Sequence, residues 1–495
     1  MWRGLKRELS YRPFLVLLGL GLFVRIAVMA MYFPAWLQTP DSIRFARLST
    51  PAIFSDYWMP AGYAMFARGL RAIVPELWVI TGIQHLIGLA IGTVLFLAMR
   101  RLGAKPWLAC IPAAVVFLSG DQLWIEHQIM AETLMTALLA AGLACAIRGL
   151  VPEVDLRWLA AGSAFLMGAA LTRNVALVAL PVLVLCTAFW ARGSSIAVAR
   201  ALTAAVVPAA VVFGLYFGAY KVSDGEYLGM TDMGGWDLYT RVGPFADCTK
   251  FTPPAGTGGL CEDTPRNQRD GPYGYIWDPN AVSRELFEIS PQTSPLLGEF
   301  AKQAIVHQPL SYLKEVALET SRYVDPGIDD DRPWSGVSGA IQGVGLFGTL
   351  NPETEDFVER EMGRGYQDAH ARVTGRQLLA TYQVLFHVGG LALLALVVFT
   401  LIGMFMAQGG VRVAIFLFGG TALLLYVMPV FTLAYEVRYG LPPLPFLVMS
   451  GTLGVATVLE RRYPGALFYR YDVCGPTPDD HRNREASPLP MSTAG

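Results

Sequence analysis

The sequence predicts an α-helical polytopic membrane protein: about ten transmembrane helices, amphipathic surface helices in the first outer loop and one large outer insertion. Three observations predict it. Apolar residues without glycine make up 54% of the 495 residues and charged residues only 16%, against roughly a quarter charged in ordinary soluble domains. Ten apolar runs recur along the chain, most of them near the roughly 20 residues needed to cross a hydrocarbon core. Basic residues gather on one side of those runs. The composition excludes a disordered chain, a collagen-like fibre and a small disulfide scaffold. With 38 basic and 39 acidic residues the net charge is −1, so nothing marks a nucleic-acid partner.

The elements follow in order. Run 13–33 comes after Arg3, Lys6, Arg7 and Arg12, but it is longer than the roughly 7–15 apolar residues of a signal peptide. It is therefore expected to be an uncleaved span. The first outer segment, 34–76, places apolar residues and arginines at helical spacing over 42–48 and 62–73. These predict amphipathic helices on the outer membrane surface. Arg44, Arg47, Arg68 and Arg71 would meet lipid headgroups, with Trp58 and Tyr63 as interface aromatics.

Spans are expected at 77–99, 107–118, 129–147, 158–172, 174–190 and 202–220, completing an N-terminal membrane module, 1–220, of seven spans. Runs 107–118 and 158–172 are short, which suggests tilted or broken helices with ends inside the protein. Residues 221–381 form an outer domain whose start is rich in Gly, Pro and aromatics; 298–324 is amphipathic, with Pro309 kinking or breaking it. Cys248 and Cys261 both fall here, in an oxidising compartment, so a disulfide is expected. A ring of about 14 residues contributes roughly 3 kcal/mol by chain entropy. Cys110, Cys145 and Cys186 lie in spans, as buried thiols. Spans at 382–405, 412–433 and 440–459 make a C-terminal module, 382–460. The tail, 461–495, lacks apolar periodicity beyond Cys474 and is expected to be largely disordered.

Orientation follows from charge. With the N-terminus in the cytoplasm, 15 Arg and Lys residues fall on cytoplasmic segments and 6 on short outer ones. Both termini are then cytoplasmic. Ionisable groups at membrane depth are costly and mark function. Asp41, Asp56, Asp121, Glu126, His127, Glu132, Arg173, Glu436 and Arg438 all fall at or near outer helix ends. This predicts a site on the outer face of the plasma membrane.

Each candidate has a plain role beside the functional one. Asp41, before an apparent helix, is an N-cap, a fixed carboxylate or both. Asp56 is a solvated loop aspartate or a substrate contact. Glu132 lies nearly two turns beyond Glu126, hence on one face if both are helical. Those two and His127 either make structural pairs, with Arg173 as one partner, or hold the polar part of a ligand. Arg173 and Arg438 either snorkel or form a fork for phosphate. Arg25, mid-span, must face protein or water. No CxxC and no His/Cys pair at zinc spacing is present, so neither a structural metal nor a required cofactor is expected.

These residues resemble the polytopic glycosyltransferases of the GT-C fold, the class of the protein O-mannosyltransferases and the lipid A aminoarabinose transferase. PDSIRFARL is similar to the family's acidic first-loop motif, with Asp41, Phe45 and Ala46 matching and Ser42 in place of the usual second acid. WMPAGYAMFARGL matches the Pro-Pro-Gly-Tyr-Pro stretch at Pro60, Gly62 and Tyr63. WIEHQIMAETL, GAALTRN and YEVRYGLPPLPFL resemble the outer Glu/His helix start, the Leu-Thr-Arg turn and the late Tyr-x-x-Arg-Tyr-x-x-Pro motif.

The likeness covers about 13–220 and 383–460. It implies a transferase taking a sugar from a polyprenyl-phosphate donor to a hydroxyl of a glycan, lipid or protein, with inversion. Asp41 would be the general base. Arg173 and Arg438 would hold the leaving phosphate, and Asp56, Tyr63, Glu126, His127 and Glu132 would bind or orient substrate. Some members use a divalent metal; Ser42 removes the second acid that would support one. A transporter or lipid flippase is the rival reading, which calls for paired broken helices in two related halves. A scaffold built around the outer domain is the third.

Overall fold

The computed structural model describes residues 8–35, 41–42, 44–45, 53–191, 193–223, 225–230, 232–324 and 375–469. The expected disordered tail beyond Cys474, Arg47, Ala46 and part of the outer insertion lie outside them. Within them the chain is helical, with one isolated bridge between Ala104 and Phe468 and no named strand.

The N-terminal module runs α1 (Arg12–Met31), α2 (Gly62–Arg71), α3 (Leu77–Arg101), α4 (Pro106–Leu118), α5 (Gly120–Glu126), α6 (Ala131–Leu150), α7 (Leu156–Ala170), α8 (Ala179–Trp190) and α9 (Ser195–Val222). The insertion, an outer domain on the expected topology, contributes α10 (Gly234–Val242), α11 (Gly274–Trp277), α12 (Val282–Leu286), α13 (Ser294–His307) and α14 (Pro309–Ser321). The C-terminal module adds α15 (Arg376–Leu385), α16 (Gly390–Met406), α17 (Gly409–Ala414), α18 (Gly420–Thr432) and α19 (Leu444–Arg462), with a π turn at Ile415–Gly419 joining α17 to α18.

Seven helices among the described residues are long and apolar enough to cross a membrane, and α4 with α5 makes an eighth if that bent pair is one span. Every apolar run of the sequence holds a helix, but those in 156–170 and 174–190 are shorter than a full span. The chain is an integral, multi-pass membrane protein.

The break in the α4–α5 span has a local cause. Ser119 takes an extended conformation, and its Oγ accepts from the Gln122 amide at 3.4 Å. The Gly120 amide donates to the Phe386 carbonyl at 3.0 Å. A Cβ on Gly120 would overlap Gln383, so only glycine lets the returning α15 close on the break. The two helices meet at 53°. The bend turns Asp121, Gln122 and Glu126 into the protein, where all three are buried. Asp121 accepts from Gln383 at 2.9 Å and pairs with His387.

The outer domain has its own core, built on Trp236, Tyr239, Phe245, Ile276 and Phe300. Cys248 and Cys261 are bonded. Pro309 separates two helices rather than kinking one: it occupies the first turn of α14, where a missing N–H costs nothing. This domain is tied to the end of α18. The buried Arg241 pairs with Glu319 at 2.5 Å, Glu319 accepts from the Tyr435 amide at 3.0 Å, and the Tyr312 hydroxyl donates to the Phe431 carbonyl at 2.8 Å.

Candidate functional site

Four helix ends bring their charges to one place. Asp41 lies in a helical turn with Phe45, whose ring packs edge-on against Tyr63 at 4.8 Å. Glu132 sits in the first turn of α6. Arg173 lies in the turn after α7, its amide bonded to the Ala169 carbonyl at 3.0 Å. Arg438 lies in the 3₁₀ turn Val437–Gly440 after α18.

Arg438 Nη1 donates to Asp41 Oδ2 at 2.7 Å, and its Nε is 2.6 Å from Glu436. Arg173 Nη1 is 3.3 Å from Glu132. Arg44 is 3.1 Å from Asp56 and 4.0 Å from Asp41. The guanidinium carbons of Arg173 and Arg438 lie 5.7 Å and 5.3 Å from the Tyr439 ring centre. The two cations are thus no more than about 11 Å apart although far apart in sequence.

The cluster holds unsatisfied capacity. Both Glu132 carboxylate oxygens, Arg173 Nη1 and Arg438 Nε are buried and have no hydrogen-bond partner of good geometry among the described residues. These atoms meet in the Arg173–Glu132 and Arg438–Glu436 ion pairs without hydrogen-bond geometry, an arrangement that fits a site for a polar ligand. The two loop carboxyls differ. Burial pushes Asp41 up, but Arg438, Arg173 and Arg44 together outweigh it and hold the carboxyl below its ordinary value. At Asp56 burial wins: the carboxyl sits above its ordinary value despite Arg44 and bonds from the Trp58 and Met59 amides at 2.7 and 3.1 Å.

Other expected site residues lie elsewhere. Glu126 and His127 are buried in a separate network rather than beside the arginines. Arg25 reaches both Glu126 oxygens, at 2.9 and 2.8 Å, and donates also to the Gly21 and Phe117 carbonyls. His85 bridges Glu126 Oε2 at 2.9 Å and His127 Nδ1 at 3.1 Å. A Cβ on Gly88 would overlap Glu126, so the glycine makes room for the carboxylate. Glu126 and Glu132 do not share one helical face, because α5 ends at Glu126 and α6 starts at Ala131. Tyr63 is not an interface aromatic: it is fully buried, and its hydroxyl donates to Gln84 at 2.7 Å.

Three residues here escape a linear reading: Tyr439, which lies against both arginines, Tyr273, which donates to Glu436 at 3.0 Å, and His85. Tyr439 adjoins Arg438 in a motif already singled out. His85, with Gln84, is a polar pair inside an apolar run, a signal of the same kind as Arg25. Among the described residues, no three His, Cys, Asp or Glu side chains are grouped to hold a metal ion.

No family model matches the chain, and no curated protein matches it in sequence. Among solved structures it is similar to ArnT from Cupriavidus metallidurans bound to undecaprenyl phosphate, at 18% identity and a TM-score of 0.37, covering 92% of this chain and 79% of that one. It is also similar to the apo oligosaccharyltransferase of Archaeoglobus fulgidus, at 10% identity and a TM-score of 0.42, over 93% of this chain and 52% of that one. A third similarity, at 11% identity and a TM-score of 0.41, is to the oligosaccharyltransferase AglB of the same archaeon with an inhibitory peptide and a dolichol-phosphate; this chain spans about half the length of either oligosaccharyltransferase.

Proposed function

We propose that the chain is a glycosyltransferase of the GT-C class. In this reading it moves a sugar from a polyprenyl-phosphate donor to an acceptor hydroxyl, with inversion, on the outer face of the plasma membrane. The observation that carries the reading is the convergence of Asp41, Arg173 and Arg438 around Tyr439, each from a motif that resembles that class.

The acceptor oxygen bonds to the anomeric carbon as the bond from that carbon to the phosphate oxygen breaks. The phosphate leaves with the bonding electrons, and the acceptor proton passes to Asp41. Arg173 and Arg438 offset the charge that develops on the phosphate, and their planar forks suit its oxygens. Glu132 positions Arg173, and Glu436 positions Arg438.

Arg438 is engaged by Asp41 itself. A donor phosphate competes for that arginine, so donor binding releases the carboxylate to act as base. Glu126 and His127 act indirectly, through the buried network in which Arg25 and His85 tie α1 and α3 to the end of α5. The test is transfer by Asp41→Asn in proteoliposomes with a labelled polyprenyl-phosphate sugar. Loss of a placed base costs about 10²–10⁴ in rate, with donor binding retained. Near-normal turnover would reduce Asp41 to a cap, worth about 1 kcal/mol of stability.

A further inference from the structure

Resting on that transferase reading, we propose that Trp58 and Trp277 form a stacking subsite for a sugar ring of the acceptor, which makes the acceptor a carbohydrate. The two indoles lie 5.6 Å apart, their planes inclined by 36°. Trp58 comes from the first outer loop and Trp277 from the last residue of α11, so the subsite closes the seam between the membrane module and the outer domain. Trp277 remains 41% exposed. Tyr57 and Tyr227 continue the aromatic surface, with ring centres 5.3 Å apart.

This surface runs directly into the charge cluster. The Arg44 guanidinium lies 5.9 Å from the Trp58 ring centre and 3.1 Å from Asp56, and Arg44 reaches Asp41. The Trp58 amide donates to Asp56. From the other side, Tyr273 precedes Trp277 by four residues on one helical face, and its hydroxyl binds Glu436, the partner of Arg438. One short turn of the outer domain thus touches the phosphate clamp through Tyr273 and the aromatic pair through Trp277.

The chemistry selects the occupant. A pyranose ring offers one C–H face to an aromatic plane and a rim of hydroxyls to carboxylates, and this surface alternates the two. A lipid chain has no use for Asp56 and Arg44 beside it. A peptide bound by strand addition needs a sheet edge, and the described residues of the outer domain contain no strand. Trp58 packs both on the outer-domain core and on the cluster built around Tyr32 and Tyr63.

The test measures two bindings separately on the full chain in nanodiscs: undecaprenyl phosphate, and a probe set of mannotriose, maltotriose, cellotriose and a Ser/Thr-rich peptide. At least one trisaccharide should bind. Trp277→Ala and Trp277→Leu should each weaken it about three- to tenfold, whereas Trp277→Phe stays within about threefold. Undecaprenyl phosphate binding should be unchanged in all three. Leucine keeps the apolar contact with Trp58, so loss in both variants is not a folding defect. Trisaccharide binding indifferent to Trp277, or binding of the peptide alone, overturns the proposal. Failure of wild type to bind undecaprenyl phosphate while Trp277 still governs the trisaccharide sinks the transferase reading and leaves the sugar subsite standing.

Discussion

Asp41 and Asp56 stand on either side of Arg44, yet their surroundings move them in opposite directions. The assignment of the base therefore has a pH signature. For Asp41 burial raises the carboxyl, and three arginines more than reverse it, so the proton-accepting form persists as pH falls through the ordinary carboxylate range. The acid limb of kcat/KM, which reports the free enzyme, should lie below that range. If Asp56 were the base, the limb would lie above it, because burial there prevails. Asp56→Asn should leave the limb in place, and a limb that moves with Asp56→Asn would transfer the role.

The other residue-scale test concerns Arg25. It is buried in α1 and paired with a carboxylate 101 positions away. Removing one member of a buried pair costs about 3–5 kcal/mol, because the other charge is left behind. Arg25→Met should lower the melting temperature sharply, and Arg25→Met with Glu126→Gln should recover part of the loss. An Arg25→Met protein that melts as wild type would show that the Arg25–Glu126 pair does not hold α1 in place.

At the scale of elements, most helices were legible because length and apolar content state them directly. The α4–α5 run, too short for a full span, did signal a broken helix. Its partner was not legible: nothing in a linear reading brings Gln383 and His387 to Asp121. The same limit applies to Glu126 and Glu132, whose spacing implies a shared face only if the helix continues, and the turn 127–130 interrupts it. The Cys248–Cys261 bond was legible from compartment and count alone. It closes a short loop beside the Phe251 and Leu260 side chains of the outer core. Reduction, or Cys248→Ser with Cys261→Ser, should destabilise the outer domain by about 3 kcal/mol, read as faster proteolysis within 244–262. Unchanged cleavage would mean the core holds the loop unaided.

For the whole molecule, the sequence pointed to Arg173 and Arg438 as a joint fork for phosphate with Asp41 as base, but not to the ring that lies against both arginines. That ring is Tyr439. Glu436 and Tyr273 then tie that clamp to the outer domain. Asp41 extends it to the first loop. Charge-assisted bonds contribute about 1.5–3 kcal/mol each. Arg173→Ala or Arg438→Ala should therefore weaken polyprenyl-phosphate binding about ten- to a hundredfold, and equal affinity in both variants would remove the clamp.

The central claim is that this clamp takes a lipid phosphate and thereby frees Asp41. The most direct measurement is a cryo-EM structure of the full chain with undecaprenyl phosphate. The account predicts phosphate density between Arg173 and Arg438 at about 2.7–2.9 Å from guanidinium nitrogens, with the Arg438–Asp41 bond opened. Density elsewhere, or a phosphate bound while Arg438 still holds Asp41 at 2.7 Å, would contradict it.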